Sequence, residues 1–441
     1  MDRHQHDNLA TLLRIIADRI YNPNYSLDGT GPDYSLVGAI AASLGLDSAA
    51  RDGFSRYRVS NPVTIFDSKL LFDKAPLVWD EETISGSGIS STWSKNRASV
   101  TLTSTNETAC NFVRQTFQRF NYQPGKGNLV EVTGVLYSPQ VGRTITLGQF
   151  DAQNGFMFRD DAGTYQWGIR SYKTGSPVDT WFTQDEWNID KMDGTGPSGI
   201  TADFTQNQIF IWDYQWLGVG RVRVGLDIDG KIFYCHEFNH ANVTQGVYMS
   251  TPNLPLRWEM TTTADTPATS VEVVCGAVLS EGGSNDTGIL RYESTNGAHV
   301  DANAADTWYP IIGIHLKTTH IGCTVKLASM SMINEQSQDF EWAIAMNPTV
   351  TGSPTWNPMT NSAVETMLGA TAITVSWDTG IWFTGGMVKS GASADQVASD
   401  LENAVTLGSD ISDNRDQIFL CARPLAINAD IEATLSWREI Q

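Results

Sequence analysis

From Ala98 onward the chain is a train of short runs in which apolar and polar residues alternate, each closed within about ten residues by Gly, Pro, Asn or Asp. Arg143–Phe150, Gly155–Asp161, Thr164–Ser171, Gly220–Ile228, Lys231–Phe238 and Leu256–Thr263 show it well. A period of two sends successive side chains to opposite faces of a strand. Runs this short and this closely spaced leave no room for the crossover helices of a parallel sheet. The pattern resumes past Asp339 in Phe340–Asn347, Ala372–Thr379, Ile381–Val388, Ile418–Leu425 and Ile431–Ile440. The fold class that follows is mainly β, built as antiparallel β-sandwich or jelly-roll-like domains. The 14 Trp suit such a core, because aromatic side chains pack well on a pleated, half-buried surface.

The N-terminal stretch reads differently. Leu9, Leu12, Leu13, Ile16 and Ile20 fall at helical spacing within Asn8–Ile20, with Arg14, Asp18 and Arg19 off that stripe. Tyr34–Leu46 reads as a second short helix and Tyr57–Asp80 as an extended arm punctuated by Pro. Neither helix has an evident core of its own. The stripe residues, with Phe66, Phe72 and Trp79 of the arm, are therefore expected to make assembly contacts with other chains; the alternative is that they pack back on their own domain. Glu81–Ser94, rich in Ser and Gly, reads as a linker or mobile edge, and Gly391–Leu407 as a short helix. The expected division is a helix and attachment arm over 1–85, a main sandwich over 86–335, and a β region over 336–441 that is a second sandwich or returning strands of the first.

A formal charge of −20 with no Lys/Arg cluster argues against direct nucleic-acid binding. No run of apolar residues is long enough for a membrane span, and the first residues lack the basic-then-apolar pattern of a secretory signal. The 5 Cys are scattered without a C-x-x-C pair, which reads as buried thiols and not as a zinc site.

Several motifs invite chemistry. His236-Glu237-Phe238-Asn239-His240 matches the zinc-protease string H-E-x-x-H, but that chemistry needs a helix to bring the two His together. Here Asp229-Gly230 reads as a hairpin turn and Ile232–Cys235 as a strand, so the motif is expected to be extended, with His236 and His240 roughly 13 Å apart and no metal bound. Gly194–Gly199 is a poor phosphate cradle because no helix pattern follows it. Asp227-Ile-Asp229 lacks the remaining ligands of a calcium loop. Asp185, Glu186, Asp190 and Asp193 near Trp181 and Trp187 raise the question of sugar chemistry, for which stacking of a glycan on Trp181 and Trp187 is the stronger expectation than hydrolysis. His315 and His320 are expected in a strand pair or a subunit contact. No catalytic, metal or cofactor-binding residue is assigned.

Three stretches carry a resemblance: Phe117–Gly134 (FQRFNYQPGKGNLVEVTG), Trp212–Arg223 (WDYQWLGVGRVR) and Asn253–Glu259 (NLPLRWE), with Ala433–Glu439 at the end of the chain. From about Arg58 to Thr263 the sequence resembles virion structural proteins of tailed bacteriophages, of the fibre, decoration or tail kind. The resemblance implies a non-enzymatic virion component, made in the host cytoplasm, that docks on other virion proteins through its N-terminal arm. Many aromatics with only 18% charged residues also predict a closed homo-oligomer, a trimer first, that covers sheet edges and surplus apolar surface. The alternative function is a glycan-binding module for host recognition, and a polysaccharide hydrolase is the minor one. No cofactor is expected.

Overall fold

The alternating runs become strands. The computed structural model describes residues 61–105, 109–285, 287–397, 406–426 and 429–440, and the helical stripe Leu9–Ile20 with Tyr34–Leu46 lies outside them. The described residues form four antiparallel sheets and a two-stranded ribbon, with no α-helix among them. No helix there is long and apolar enough to cross a membrane.

In the first sandwich, an eight-stranded sheet runs in the order Lys231–Phe238, Val222–Ile228, Asn207–Tyr214, Gly127–Val135, Thr269–Glu281, Ser99–Ser104 and Ile89–Ser94. Its eighth strand, Val63–Lys69, pairs with the second half of Thr269–Glu281. The seven-stranded sheet opposite runs Val178–Thr183, Thr164–Ser171, Gly155–Asp161, Arg143–Phe150, Leu256–Thr262, Cys110–Thr116 and Trp79–Gly86. The inward faces of the two sheets share one core. Trp167 meets Trp212 edge to face with ring centroids 5.4 Å apart, and Phe158 meets Phe210 at 4.8 Å. Such aromatic pairs add roughly 0.5–1.5 kcal/mol each beyond the area they bury.

The second sandwich opposes a five-stranded sheet (Ile289–Ser294, Ala429–Ile440, Thr324–Asn334 and Ser393–Val397, with Val300–Ala302 on Ala429–Ile440) to a six-stranded one. The latter runs Asn357–Pro358, Val364–Leu368, Tyr309–Leu316, Gln417–Pro424, Phe340–Met346 and Ile381–Val388. Ala429–Ile440 shows why it forms: Ile431, Ala433, Leu435 and Trp437 face the core, while Asp430, Glu432, Thr434 and Ser436 face outward. Tyr309–Leu316 is buried along its whole length because a second small apolar cluster, with Trp308, Val375 and Trp356, covers the outer face of its sheet.

The two cores are separate, and polar bonds join the sandwiches. The Arg119 guanidinium donates to the Ser409 hydroxyl and to Asp413, the Ile411 amide to Asp80, and the Asn253 side chain to the Gly322 carbonyl.

The structure moves three expected boundaries. The arm is part of the first sandwich from Val63 onward, since Val63–Lys69 and Trp79–Gly86 take ladder positions in its two sheets. Glu81–Ser94 is no linker: it holds most of one strand and the whole of the next, and the chain crosses between sheets at Gly86 and Gly88, with φ of +74° and +105°. A Cβ on Gly86 would press on the Ala109 carbonyl, so only glycine suits that crossing. The second sandwich begins after Glu281, not near 335, because Ile289–Ser294 pairs with Ala429–Ile440. Of the helix expected in Gly391–Leu407, Ser393–Val397 is a strand on Ser329–Ile333, and residues 398–405 lie outside the described set. A free sheet edge outweighed the local helical preference. All five cysteines are free, and Cys275 is exposed where a buried thiol was expected.

Candidate functional site

The Asp229-Gly230 turn forms as the sequence demands, with φ of +55° and +77°, and the Gly230 amide donates to the Asp227 carboxylate. It makes Lys231–Phe238 the outermost strand of the eight-stranded sheet, as Val178–Thr183 is of the seven-stranded one. Between these two edges opens a cleft of about 510 Å³. Thr180 and Phe182 line it from one sheet, His236 and Phe238 from the other, and His240 and Tyr248 from the loop that follows. The Phe182 ring lies 4.5 Å from that of His236 and 5.6 Å from that of Phe238. His240 stacks on Tyr248 at 4.0 Å, with 11° between the planes.

Asn188 closes the open edge of Lys231–Phe238. Its side-chain amide donates to the Glu237 carbonyl at 3.0 Å, and its side-chain oxygen accepts the Glu237 amide at 2.9 Å. Ile189 and Asp190 donate their amides to the Cys235 carbonyl. One loop thus supplies the missing ladder partner and protects the edge. The Asn188 backbone amide also donates to His236 Nδ1 at 3.2 Å, which leaves the proton of the neutral ring on Nε2. His240 Nδ1 lies 2.8 Å from the Gly220 carbonyl, so there the proton sits on Nδ1 and Nε2 is an acceptor. The cleft therefore offers one imidazole donor and one imidazole acceptor among aromatic walls.

Burial keeps both rings neutral at pH 7: it pushes His236 down to about 4 and lowers His240. Unfolded His236 takes its proton near 6.5, whereas the folded ring resists until about 4. Between those values the unfolded chain binds more protons, so stability declines as the pH drops through the window, and below about 4 the loss is complete. The first sandwich is expected to lose about 2–3 kcal/mol to this group, read as the difference between the wild type and His236→Gln in urea unfolding at pH 7 and 4.5. Equal pH dependence in the two proteins would refute the assignment.

The HEFNH motif is extended over His236–Phe238, as expected, but His240 lies past the strand end, in a turn region. The predicted stacking residues fare differently. Trp187 is buried in the core and donates its indole N–H to the Phe182 carbonyl. Trp181 lies on the outward face of Val178–Thr183, over Gly168, with the Arg159 guanidinium 4.1 Å above its ring. Sequence reading assigns no strand there; the inward residue of Val178–Thr183 is Phe182, one position on. Of the assembly residues, Trp79 is buried in its own core, Phe66 packs against Phe120 of the same sandwich, and Phe72 is 86% exposed.

The acidic cluster serves the local backbone. Asp185 and Glu186 bond Thr183, which holds both carboxyls below their usual range, and Thr195 does the same for Asp193. Buried Asp190 accepts the amides of Met192 and Ser198, so the Gly194–Gly199 loop already wraps a carboxylate of its own chain. His315 is buried in a strand pair, bonded to Glu365 and stacked on Trp356, while His320 sits in a short 3-10 turn. In the second sandwich, His299, Glu335 and Asp430 bring ligand atoms within 4.8 Å of one another at an exposed sheet end. Sequence reading had no signal for that group, because three distant strand ends supply it.

No family model matches the chain, the stretch from Arg58 to Thr263 included, and no curated protein matches it. Among solved structures it is similar to a β-glucanase of Bacillus licheniformis, at 10% identity over 50% of this chain and 98% of that one, with a TM-score of 0.33. It is similar to the carbohydrate recognition domain of Emp47p, at 15% identity over 50% and 97%, with a TM-score of 0.32. It is also similar to the CBM2 module of the evolved Dit of Lactobacillus casei phage J-1, at 8% identity over 51% and 98%, with a TM-score of 0.34. Each of these alignments spans about half of this chain.

Proposed function

We propose that this chain is a non-catalytic carbohydrate-binding protein whose first sandwich receives an oligosaccharide in the cleft between Val178–Thr183 and Lys231–Phe238. The observation that carries this reading is the make-up of the cleft: the half-buried Phe182 ring lines it, with the largely buried rings of Phe238 and Tyr248 in its wall, and neutral His236 and His240 carry one N–H donor and one acceptor beside them. A pyranose presents the matching pattern, with C–H faces and hydroxyl edges. Cleavage needs a second group. Glycoside hydrolysis uses two carboxylates roughly 5–9.5 Å apart, one with a raised pKa. Among the described residues lining the cleft, Glu237 is the one carboxylate, and it is engaged by Arg221 at 3.4 Å and Asn239 at 2.8 Å.

The test is calorimetric titration with neutral hexasaccharides such as cello-, malto- and chitohexaose. Phe182→Ala should weaken binding at least about tenfold, or about 1.4 kcal/mol. Binding by the variant as tight as by the wild type, or by no hexasaccharide at all, would remove the reading. Release of reducing ends that Glu237→Gln abolishes would overturn its non-catalytic part.

The wider proposal is a place in a phage particle, as a fibre, decoration or tail component and a homo-oligomer, with a trimer first. The resemblance over Arg58–Thr263 supports it, and so does one surface feature. Leu71, Phe72 and Leu77 are 47%, 86% and 64% exposed on the segment between the first two strands. Three large apolar groups in one short connection favour a docking contact there. Mass photometry of the purified chain and its localisation on an imaged particle test this; a stable monomer at isolated positions would refute the oligomer.

A further inference from the structure

The second sandwich carries an aromatic feature that the cleft does not use. On the outer face of its six-stranded sheet, Trp308, Trp377 and Trp382 form one group, with centroids 5.3 Å (Trp308 to Trp377), 4.4 Å (Trp377 to Trp382) and 4.9 Å (Trp308 to Trp382) apart. Trp308 is buried beneath, whereas Trp377 is 52% exposed. The planes of Trp308 and Trp377 lie within 13° of each other. The Trp377 indole thereby rests on Trp308 and Trp382, and about half of its side chain is left to solvent.

That ring is held before any ligand arrives. The turn bearing it is tied to the neighbouring segment by the Ser376 amide to the Thr349 carbonyl at 3.0 Å and the Thr349 amide to the Thr379 hydroxyl at 2.7 Å. Within the turn the Thr379 hydroxyl donates to the Ser376 carbonyl, and the Trp382 indole N–H donates to the Thr379 carbonyl. Gly380, at φ +72°, lets the chain return against the Met346 carbonyl, where a Cβ would come within 2.5 Å. A preset aromatic surface loses little side-chain freedom on binding, which is the usual advantage of Trp in recognition.

The surroundings distinguish the occupant. Asp378, next to Trp377 in the chain, is exposed, and Arg423 lies 5.6 Å over Trp308 while pairing with Glu341 and Asp306. A protein interface needs a broad apolar centre. Here a single flat apolar surface stands among hydrogen-bonding and charged groups, a pattern that matches the C–H face and hydroxyl rim of one sugar ring.

We propose that Trp377 is a stacking platform for a neutral pyranose, a second carbohydrate contact carried by the second sandwich. It rests on the carbohydrate reading above but on different residues. The experiment titrates cello-, malto- and chitohexaose into the full chain, following tryptophan fluorescence and calorimetric stoichiometry, for the wild type, Phe182→Ala, Trp377→Ala, Trp377→Phe and the double alanine variant. In the Phe182→Ala background, residual binding should weaken at least tenfold with Trp377→Ala and stay within a few-fold with Trp377→Phe. Binding and stoichiometry unchanged by Trp377→Ala would overturn the platform and leave the cleft standing. No binding to any form would overturn both. A wild type that self-associates through a contact abolished by Trp377→Ala would assign the ring to an interface between copies, and would overturn it too.

Discussion

Asp160→Ala is expected to destabilise the first sandwich by about 3–5 kcal/mol, among the largest losses any single substitution should cause here. Arg143 and Asp160 are both fully buried and directly paired. Arg143 also donates to the Leu136 carbonyl at 2.9 Å and the Thr269 hydroxyl at 3.0 Å, and Asp160 accepts the Gly163 amide at 2.8 Å. Removing the carboxylate leaves a guanidinium in the interior without its countercharge, and that uncompensated charge is the cause of the loss. The double variant Arg143→Met with Asp160→Leu removes both charges and should recover most of it. Urea unfolding of the three proteins measures the difference. A loss below about 1 kcal/mol in Asp160→Ala would mean that water reaches the pair.

Trp437→Ala should act on the other sandwich, at a cost of about 3–5 kcal/mol. Its side chain is fully buried, and its indole N–H donates to Glu439 at 2.9 Å. Glu439 in turn accepts the Ser362 hydroxyl and the Ala363 amide, so the cavity would open beside a buried carboxylate network. Because the two cores are separate, the weakened one should melt first. Scanning calorimetry should then show two transitions, with Phe182-dependent hexasaccharide binding surviving the lower one. A single cooperative transition would show that the sandwiches unfold as one unit.

The candidate site was half legible. The hairpin at Asp229-Gly230 and the extended His236–Phe238 follow from local chemistry: a turn that needs two residues at positive φ, then β-branched and aromatic residues. Trp181 and Trp187 were the natural choices for stacking because size and aromaticity show in a sequence. What does not show is the face. On Val178–Thr183 the inward position falls on Phe182, and Trp187, just past the strand, turns into the core. The apolar residues of the arm divide in the same way: Trp79 goes into the core, Phe72 stays on the surface, and no local rule separates them.

By itself the sequence determined the period, and the period determined the class: side chains that alternate every second residue build antiparallel sheets with one apolar face, and two such faces must meet. It also determined the tight turns, because Gly and Asp-Gly positions are set by backbone sterics within a few residues. Only the tertiary structure decided which strands became edges, that Glu81–Ser94 crosses between sheets, and that the second sandwich starts after Glu281. It alone placed Asn188 against His236 and set Trp377 on Trp308. The physical reason is range: φ, ψ and side-chain alternation are local, whereas ladder pairing and the stacking of rings 69 residues apart depend on which surfaces the whole chain leaves to be covered.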